Sequence, residues 1–293
     1  MQSFVVANFS KSVHENVAGE FFVDSTCIDC DTCRQLAPET FGEASEYAYV
    51  FSQPTKLPQI QKALRALLCC PTGSIGTLHT NNSKAVRDDF PLPLADNIFY
   101  CGFNSPKSYG ANSYFILDGA GNWLIDSPKY LPFLVEKFSV MGGIRYIFLT
   151  HRDDVADAER YAATFSSERI IHRADQDSQP EAEKILDGQQ PVELTPGFIA
   201  IPTPGHTQGH CVLLMNNRFL FTGDHLWWDR NAKRLHASRS ACWYSWQEQT
   251  QSMEKLKEFR FSFVLCGHGQ RIELPESLMQ SELALLVERM CLT

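Results

Sequence analysis

Residues 198–210 read FIAIPTPGHTQGH. An apolar, β-branched run ends in a proline–glycine turn that delivers two histidines, His206 and His210. The same grammar recurs in YIFLTHRDDVAD (146–157), FLFTGDH (219–225) and FVLCGHG (263–269). Each short apolar run reads as a buried strand. Just after each strand end stands a metal-ligating residue: His151, His206, Asp224 and His268. Loops at the ends of strands in one sheet converge on one point. Three imidazoles and a carboxylate there are enough to hold Zn, Fe or Mn. Gly205, Gly223 and Gly267 let the chain bend tightly before the ligands.

Outward from these segments, further strands are read at NSYFIL (112–117), NWLID (122–126) and RIIH (169–172). Helical periodicity appears at 129–138, 155–165, 247–258 and 276–289. Hairpins mixed with βα units over 97–293 predict a layered α/β sandwich, not an all-parallel sheet. Residues 81–96, NNSKAVRDDFPLPLAD, are polar and proline-bearing and read as a linker. The front section, 1–80, is a second unit. Its QIQKALRALL segment (59–68) makes one helical stripe that Cys70-Pro71 ends.

Five of the ten cysteines fall in this front unit: Cys27, Cys30, Cys33, Cys69 and Cys70. Cys27-Ile-Asp-Cys30-Asp-Thr-Cys33 is C-x2-C-x2-C, a loop that wraps three thiolates around an iron–sulfur cubane. Cys70, followed by proline, supplies the fourth. A four-thiolate zinc site is the alternative, but it favours paired C-x2-C knuckles, which are absent. Cys69 reads as a buried spare thiol, and the five scattered cysteines as apolar fillers. Clustered ligating cysteines point to a reducing, cytoplasmic setting.

CIDCDTCRQLAPETF (27–41) with CPTGSIG (70–76) closely resembles a single-cluster [4Fe–4S] ferredoxin over residues 1–77. The resemblance implies a small α+β ferredoxin-like domain holding a one-electron store. Residues 97–293 resemble the metallo-β-lactamase-fold superfamily, in its glyoxalase II-like branch. NSYFILDGAGNWLIDS (112–127) looks like that family's opening hairpins. TPGHTQGH, TGDH and CGHG match its later metal motifs, with His206 a ligand, His210 behind it, Asp224 the bridging aspartate and His268 the last ligand. The implied fold is a four-layer αββα sandwich holding one or two metal ions.

The first family motif, THxHxDH, departs here to THRDDVAD. His151 fits the first ligand, and Asp153 stands where the second histidine belongs. The usual aspartate–histidine pair aligns with Val155-Ala156, unless an insertion brings Asp157 into place. Carboxylate for imidazole hardens the site and suits iron or manganese better than zinc. His172 is a substitute ligand candidate; His225 reads as a neighbour of the ion or as surface. Trp227, Trp228, Trp243, Tyr244 and Trp246 read as pocket walls or as ordinary core and rim aromatics.

Composition narrows the function. Acidic residues exceed basic ones, with a net charge of −8, which excludes a cationic nucleic-acid or membrane surface. No apolar run approaches the span of a bilayer. The N-terminus MQSFVVANFSK lacks the pattern of a secretory signal. Three readings follow. One is a metal-dependent hydrolase of a small molecule, in which Asp224, Asp153 or Asp157 orients the nucleophile or carries its proton. Another is a redox enzyme or electron-transfer protein that passes electrons from the cluster to an iron centre and meets a redox partner. The third is a metal site that binds a partner without catalysis.

Overall fold

The structure, a computed structural model, describes residues 6–79 and 82–292. The strands read from the sequence form because their alternate side chains all find apolar partners. A seven-stranded sheet carries, in order, Lys184–Leu186, Glu168–His172, Tyr146–Phe148, Trp123–Ile125, Tyr114–Ile116, Ile98–Tyr100 and Leu92–Ala95. The first four run parallel and the remainder antiparallel. A six-stranded sheet follows the order Val192–Thr195, Phe198–Pro202, Cys211–Met215, Phe219–Gly223, Phe263–Cys266 and Ile272–Glu273. In this second sheet only Phe219–Gly223 and Phe263–Cys266 pair in parallel.

The sheets face one another across a core of Trp123, Phe148, Phe198, Leu213 and Phe221. Trp123 stacks on Phe198 with ring centroids 4.5 Å apart. Helices Pro132–Val140 and Ala158–Phe165 cover the outer face of the first sheet. Trp246–Leu256 and Glu276–Cys291 cover the second. Both outer cores bury large apolar area, which is what drives the layers together. The result is the four-layer αββα arrangement.

The expected linker, 81–96, instead contains a short helix, Lys84–Arg87, and the edge strand Leu92–Ala95. Its prolines are tolerated because an edge strand leaves part of its backbone unpaired. Phe90 is buried between the two units, so this stretch is packed rather than free.

The front unit has its own core of Phe21, Val23, Phe41, Val50, Ala63 and Leu64. Helix Leu57–Cys69 packs on the short helix Thr32–Leu36, bringing Cys70 back to the Cys27–Cys33 loop. Cys69 is buried against the seven-stranded unit, as a spare thiol would be. Cys101, Cys211 and Cys266 are buried fillers, whereas Cys242 is partly open and Cys291 is exposed. Among the described residues, no helix is long and apolar enough to cross a membrane.

Candidate metal centre and cluster site

Cys27, Cys30, Cys33 and Cys70 line one small pocket, closed by apolar Val23, Ile28 and Ile75. Asp29 and Asp31 take left-handed backbone conformations, φ 55° and 66°, which curl the loop around that pocket. The sulfurs meet donors. Ala48 N–H donates to Cys27 Sγ at 3.4 Å, and Ser74 N–H donates to Cys70 Sγ at 3.3 Å. The Thr32 hydroxyl lies 3.4 Å from Cys30 Sγ. Burial, with the neighbouring sulfurs adding to it, pushes the Cys33 thiol well up and Cys30 up to about 12. Four thiols in one pocket, Cys33 buried and the others partly so, with N–H donors aimed at Cys27 and Cys70, fit a cubane cluster, whose irons would displace the thiol protons.

The second constellation lies at the strand ends of the sandwich. Four donor atoms gather. Asp224 Oδ2 stands 3.8 Å from His151 Nε2 and 3.7 Å from His206 Nε2. Asp153 Oδ2 stands 3.9 and 3.5 Å from the same two nitrogens. Donors bound at about 2.1 Å around one ion stand roughly 3.4 Å apart on a tetrahedral edge, so the cage is close to ion-sized. The imidazole tautomers are set from behind. His206 Nδ1 donates to the Ala241 carbonyl at 2.6 Å, and His151 Nδ1 lies 3.0 Å from Thr150 Oγ1. Both Nε2 lone pairs are thereby left facing the ion position. Each is buried with no protein partner.

A second group shares Asp224: Asp154, Asp224 and His268 offer atoms within 4.8 Å of one another. Asp224 Oδ2 is 3.6 Å from His268 Nε2. Asp154 Oδ2 and Asp224 Oδ1 are buried and unpartnered. Burial, then the nearby charges of Asp224, Asp126 and Asp153, pushes the Asp154 carboxyl well up. Buried carboxylates without a cation are costly, and they are paired or they hold metal. Gly267 permits the approach: a Cβ there would meet Asp224 Oδ1 at 2.7 Å and Asp154 Oδ2 at 2.9 Å. The two donor groups share Asp224, and together their three imidazoles and three carboxylates would suit one or two ions.

His151 is set for ligation, whereas His206 would give up a proton to an ion. Burial, opposed by Asp224, lowers His151 to about 4, so it is neutral near pH 7. Burial works against protonation of His206, but Asp153 and Asp224 raise it on balance. The His206 contact in turn holds Asp153 below the usual carboxylate range.

His151, Asp153, His206, Asp224 and His268 are therefore brought together. Asp157 is not with them. Its carboxylate accepts from Lys107 Nζ at 2.7 Å and from the Tyr130 N–H at 2.9 Å. It stands at the start of helix Ala158–Phe165, past the turn that reaches the ion. Asp154 was missed by the sequence reading. The 3-10 turn Arg152–Asp154 swings it inward, where family spacing pointed to Val155-Ala156. Two adjacent aspartates after a strand-end histidine were the available signal.

His172 is spent on local structure: its Nδ1 accepts from Ala174 N–H, and Nε2 contacts the Gly188 carbonyl. His210 is fully buried, bonded through Nδ1 to Thr203 and stacked at 4.2 Å on His225, which is equally buried. Trp227, Trp228 and Trp243 do line the cleft, with Trp243 70 % exposed and 6.3 Å from the His206 ring. Trp246 instead begins a helix, and Tyr244 lies outside the cleft wall.

The cleft also reaches the cluster loop. Cys30, Asp31 and Arg34 share its wall with Asp153, His206 and His268. Arg230 Nη2 donates to Asp31 Oδ2 at 2.6 Å, clamping the loop to the sandwich.

Residues 23–77 match the family described as the 4Fe-4S single cluster domain of Ferredoxin I. Beta-lactamase-like protein 2 homolog of Drosophila melanogaster is 26% identical over 198 residues, 61% of this chain and 65% of that protein. The alignment thus spans about 65% of the relative's length. The metallo-β-lactamase FIM-1 from Pseudomonas aeruginosa, in its mono-zinc form, is similar with a TM-score of 0.53 and 16% identity. That match covers 67% of this chain and 93% of the other. A metallo-β-lactamase from Hirschia baltica gives 0.51 and 16%, covering 67% and 96%. The chain joins a single-cluster [4Fe–4S] ferredoxin-like domain at its N-terminus to a domain with the metallo-β-lactamase fold.

Proposed function

We propose that this chain is a metal-dependent redox enzyme in which the cluster feeds electrons to a carboxylate-rich centre of iron or manganese. One observation carries the reading: Cys30 of the cluster loop stands in the wall of the cleft that holds Asp153, His206, Asp224 and His268. Hydrolysis consumes no electrons, so a cluster beside the ion site has a use only where electrons do. The donor set supports the same reading, because three carboxylates with three imidazoles favour harder, redox-active ions over zinc. An ion there supplies one-electron exchange with a small acceptor.

The chain's own residues do the remaining work. His151 presents a neutral nitrogen and His206 would present one on losing its proton to an ion, the two rings being fixed by Thr150 and Ala241. Asp224 belongs to both donor groups and would help hold an ion in either. Asp153, half exposed at the cleft, can exchange a proton with an incoming molecule while His206 orients it. Tyr109, Trp227 and Trp243 wall the approach and suit a small molecule with an apolar or planar part.

Metal analysis after anaerobic purification tests the proposal. We expect four cluster irons plus one or two further iron or manganese ions that change oxidation state when the cluster is reduced. Zinc alone in the second site overturns it. The second reading, hydrolysis, would then take its place. It is favoured by the fold of the β-lactamases and by Asp153 standing half exposed at the rim, where an ion could polarise a carbonyl or phosphoryl oxygen.

A further inference from the structure

Between the cysteine loop and the His268 loop runs a buried chain of polar side chains. The Thr32 hydroxyl lies 3.4 Å from Cys30 Sγ. Asn104 Nδ2 donates to Thr32 Oγ1 at 3.0 Å, to the Gly110 carbonyl at 2.7 Å, and reaches Asn112 Oδ1 at 3.3 Å. Asn112 N–H donates to the Gly267 carbonyl at 2.7 Å, next to His268. Thr32, Asn104 and Asn112 are each at most 2 % exposed. With sulfur as thiolate, Thr32 turns its proton to Cys30 while its oxygen accepts from Asn104, so the chain is directional. Gly110 backs it: a Cβ there would meet Cys30 Sγ at 3.1 Å.

A buried polar chain is costly beside the apolar contact of Phe90 and Phe103. What it provides is a run of polar contacts, none longer than 3.4 Å, from Cys30 to the backbone beside His268. Electron tunnelling falls off less steeply through bonds and hydrogen bonds than across the open cleft on the other side of Cys30. We infer that Thr32–Asn104–Asn112 is the conduit for one electron between the Cys30 corner of the cluster and the ion at His268. The inference rests on the redox reading proposed above. A low-potential one-electron carrier reduces the cluster. One electron then leaves it, returning the cluster to its oxidised state, and a trivalent iron at His268 becomes divalent. No covalent bond forms or breaks.

Flash photoreduction of the full-length protein, loaded with cluster and ferric iron, tests this. The readout is recovery of the cluster's visible absorbance, with cluster potential and iron content measured in parallel. In the unaltered protein the flash-reduced cluster reoxidises as the ferric ion accepts its electron. Asn104→Leu and Thr32→Val should slow that step by an order of magnitude or more at matched driving force. Thr32→Ser, which keeps the hydroxyl, should restore it. If the unaltered protein transfers and both variants transfer equally fast, the conduit is wrong while the redox reading stands. If the cluster of the unaltered protein stays reduced beside ferric iron, the redox reading fails and the conduit with it. Should Asn104→Leu not fold, the Thr32 pair decides alone.

Discussion

At the scale of single residues, the ion centre separates groups that look alike in sequence. His206 offers an unpartnered nitrogen to the ion, whereas Asp157 is occupied by Lys107 and Tyr130. His206→Ala should lose the second-site metal and keep the brown cluster, whereas Asp157→Asn should keep both; elemental analysis with a visible spectrum reads this directly. Loss of cluster and ion together would mean the two sites are not separate. Asp154 makes a subtler case. Its carboxyl is raised well above the ordinary 3.8 by burial and by Asp224. A raised acid leaves the folded state at no disadvantage below about pH 4, and costs it stability as pH climbs through the folded value. In ion-free protein, Asp154→Asn should therefore stabilise the fold near pH 8, because the amide carries no charge to bury. The gain should vanish below pH 4, and the variant should bind fewer ions. A gain independent of pH in denaturant titrations would contradict this origin.

At the scale of elements, the strand-end loops decide the site, and they were unequally legible. The strands 198–202, 211–215, 219–223 and 263–266 could be read because apolar runs bounded by Gly and Pro have few other solutions. His206, Asp224 and His268 were legible for the same reason, since each follows its strand end within four residues. The loop after Tyr146–Phe148 was not, because its ligands depend on a single 3-10 turn. Rotation of that turn, which no periodicity encodes, places Asp154 inward and Asp153 at the cleft. The edge strand Leu92–Ala95 was hidden by its prolines, which mimic a linker. The loop Gly267–Gly269 gives the element-level prediction. Gly267 has no side chain where Asp154 and Asp224 approach, so Gly267→Ala would press a methyl to within 3 Å of both carboxylates. The acids must part, and the His268-side ion should be lost while the His151–His206 ion stays. Second-site metal content should fall; an unchanged count would show that the loop yields without moving the acids.

At the scale of the whole molecule, the two units share a core instead of merely touching. Phe103 packs edge-on against Phe90 at 5.0 Å and Phe133 at 4.8 Å, and its N–H donates to Cys69 Sγ at 3.5 Å. Leu36 and Leu68 of the cluster unit press on that same core. Lys129 Nζ reaches the Pro71 carbonyl at 3.0 Å, and Arg230 holds Asp31. An interface in which Leu36, Leu68 and Cys69 pack on the core of Phe90 and Phe103 couples the stability of the units, so that neither melts without exposing apolar surface of the other. The intact protein should therefore unfold in one calorimetric transition, with bleaching of the cluster at the same temperature. Phe103→Ala removes the ring from the centre of this contact and should cost about 3–5 kcal/mol, the usual penalty for emptying an aromatic core site. It should also split the transition, the cluster bleaching first while the sandwich persists. If bleaching and unfolding of the variant still coincide, the coupling runs through the polar contacts of Lys129 and Arg230, and the aromatic core is a bystander.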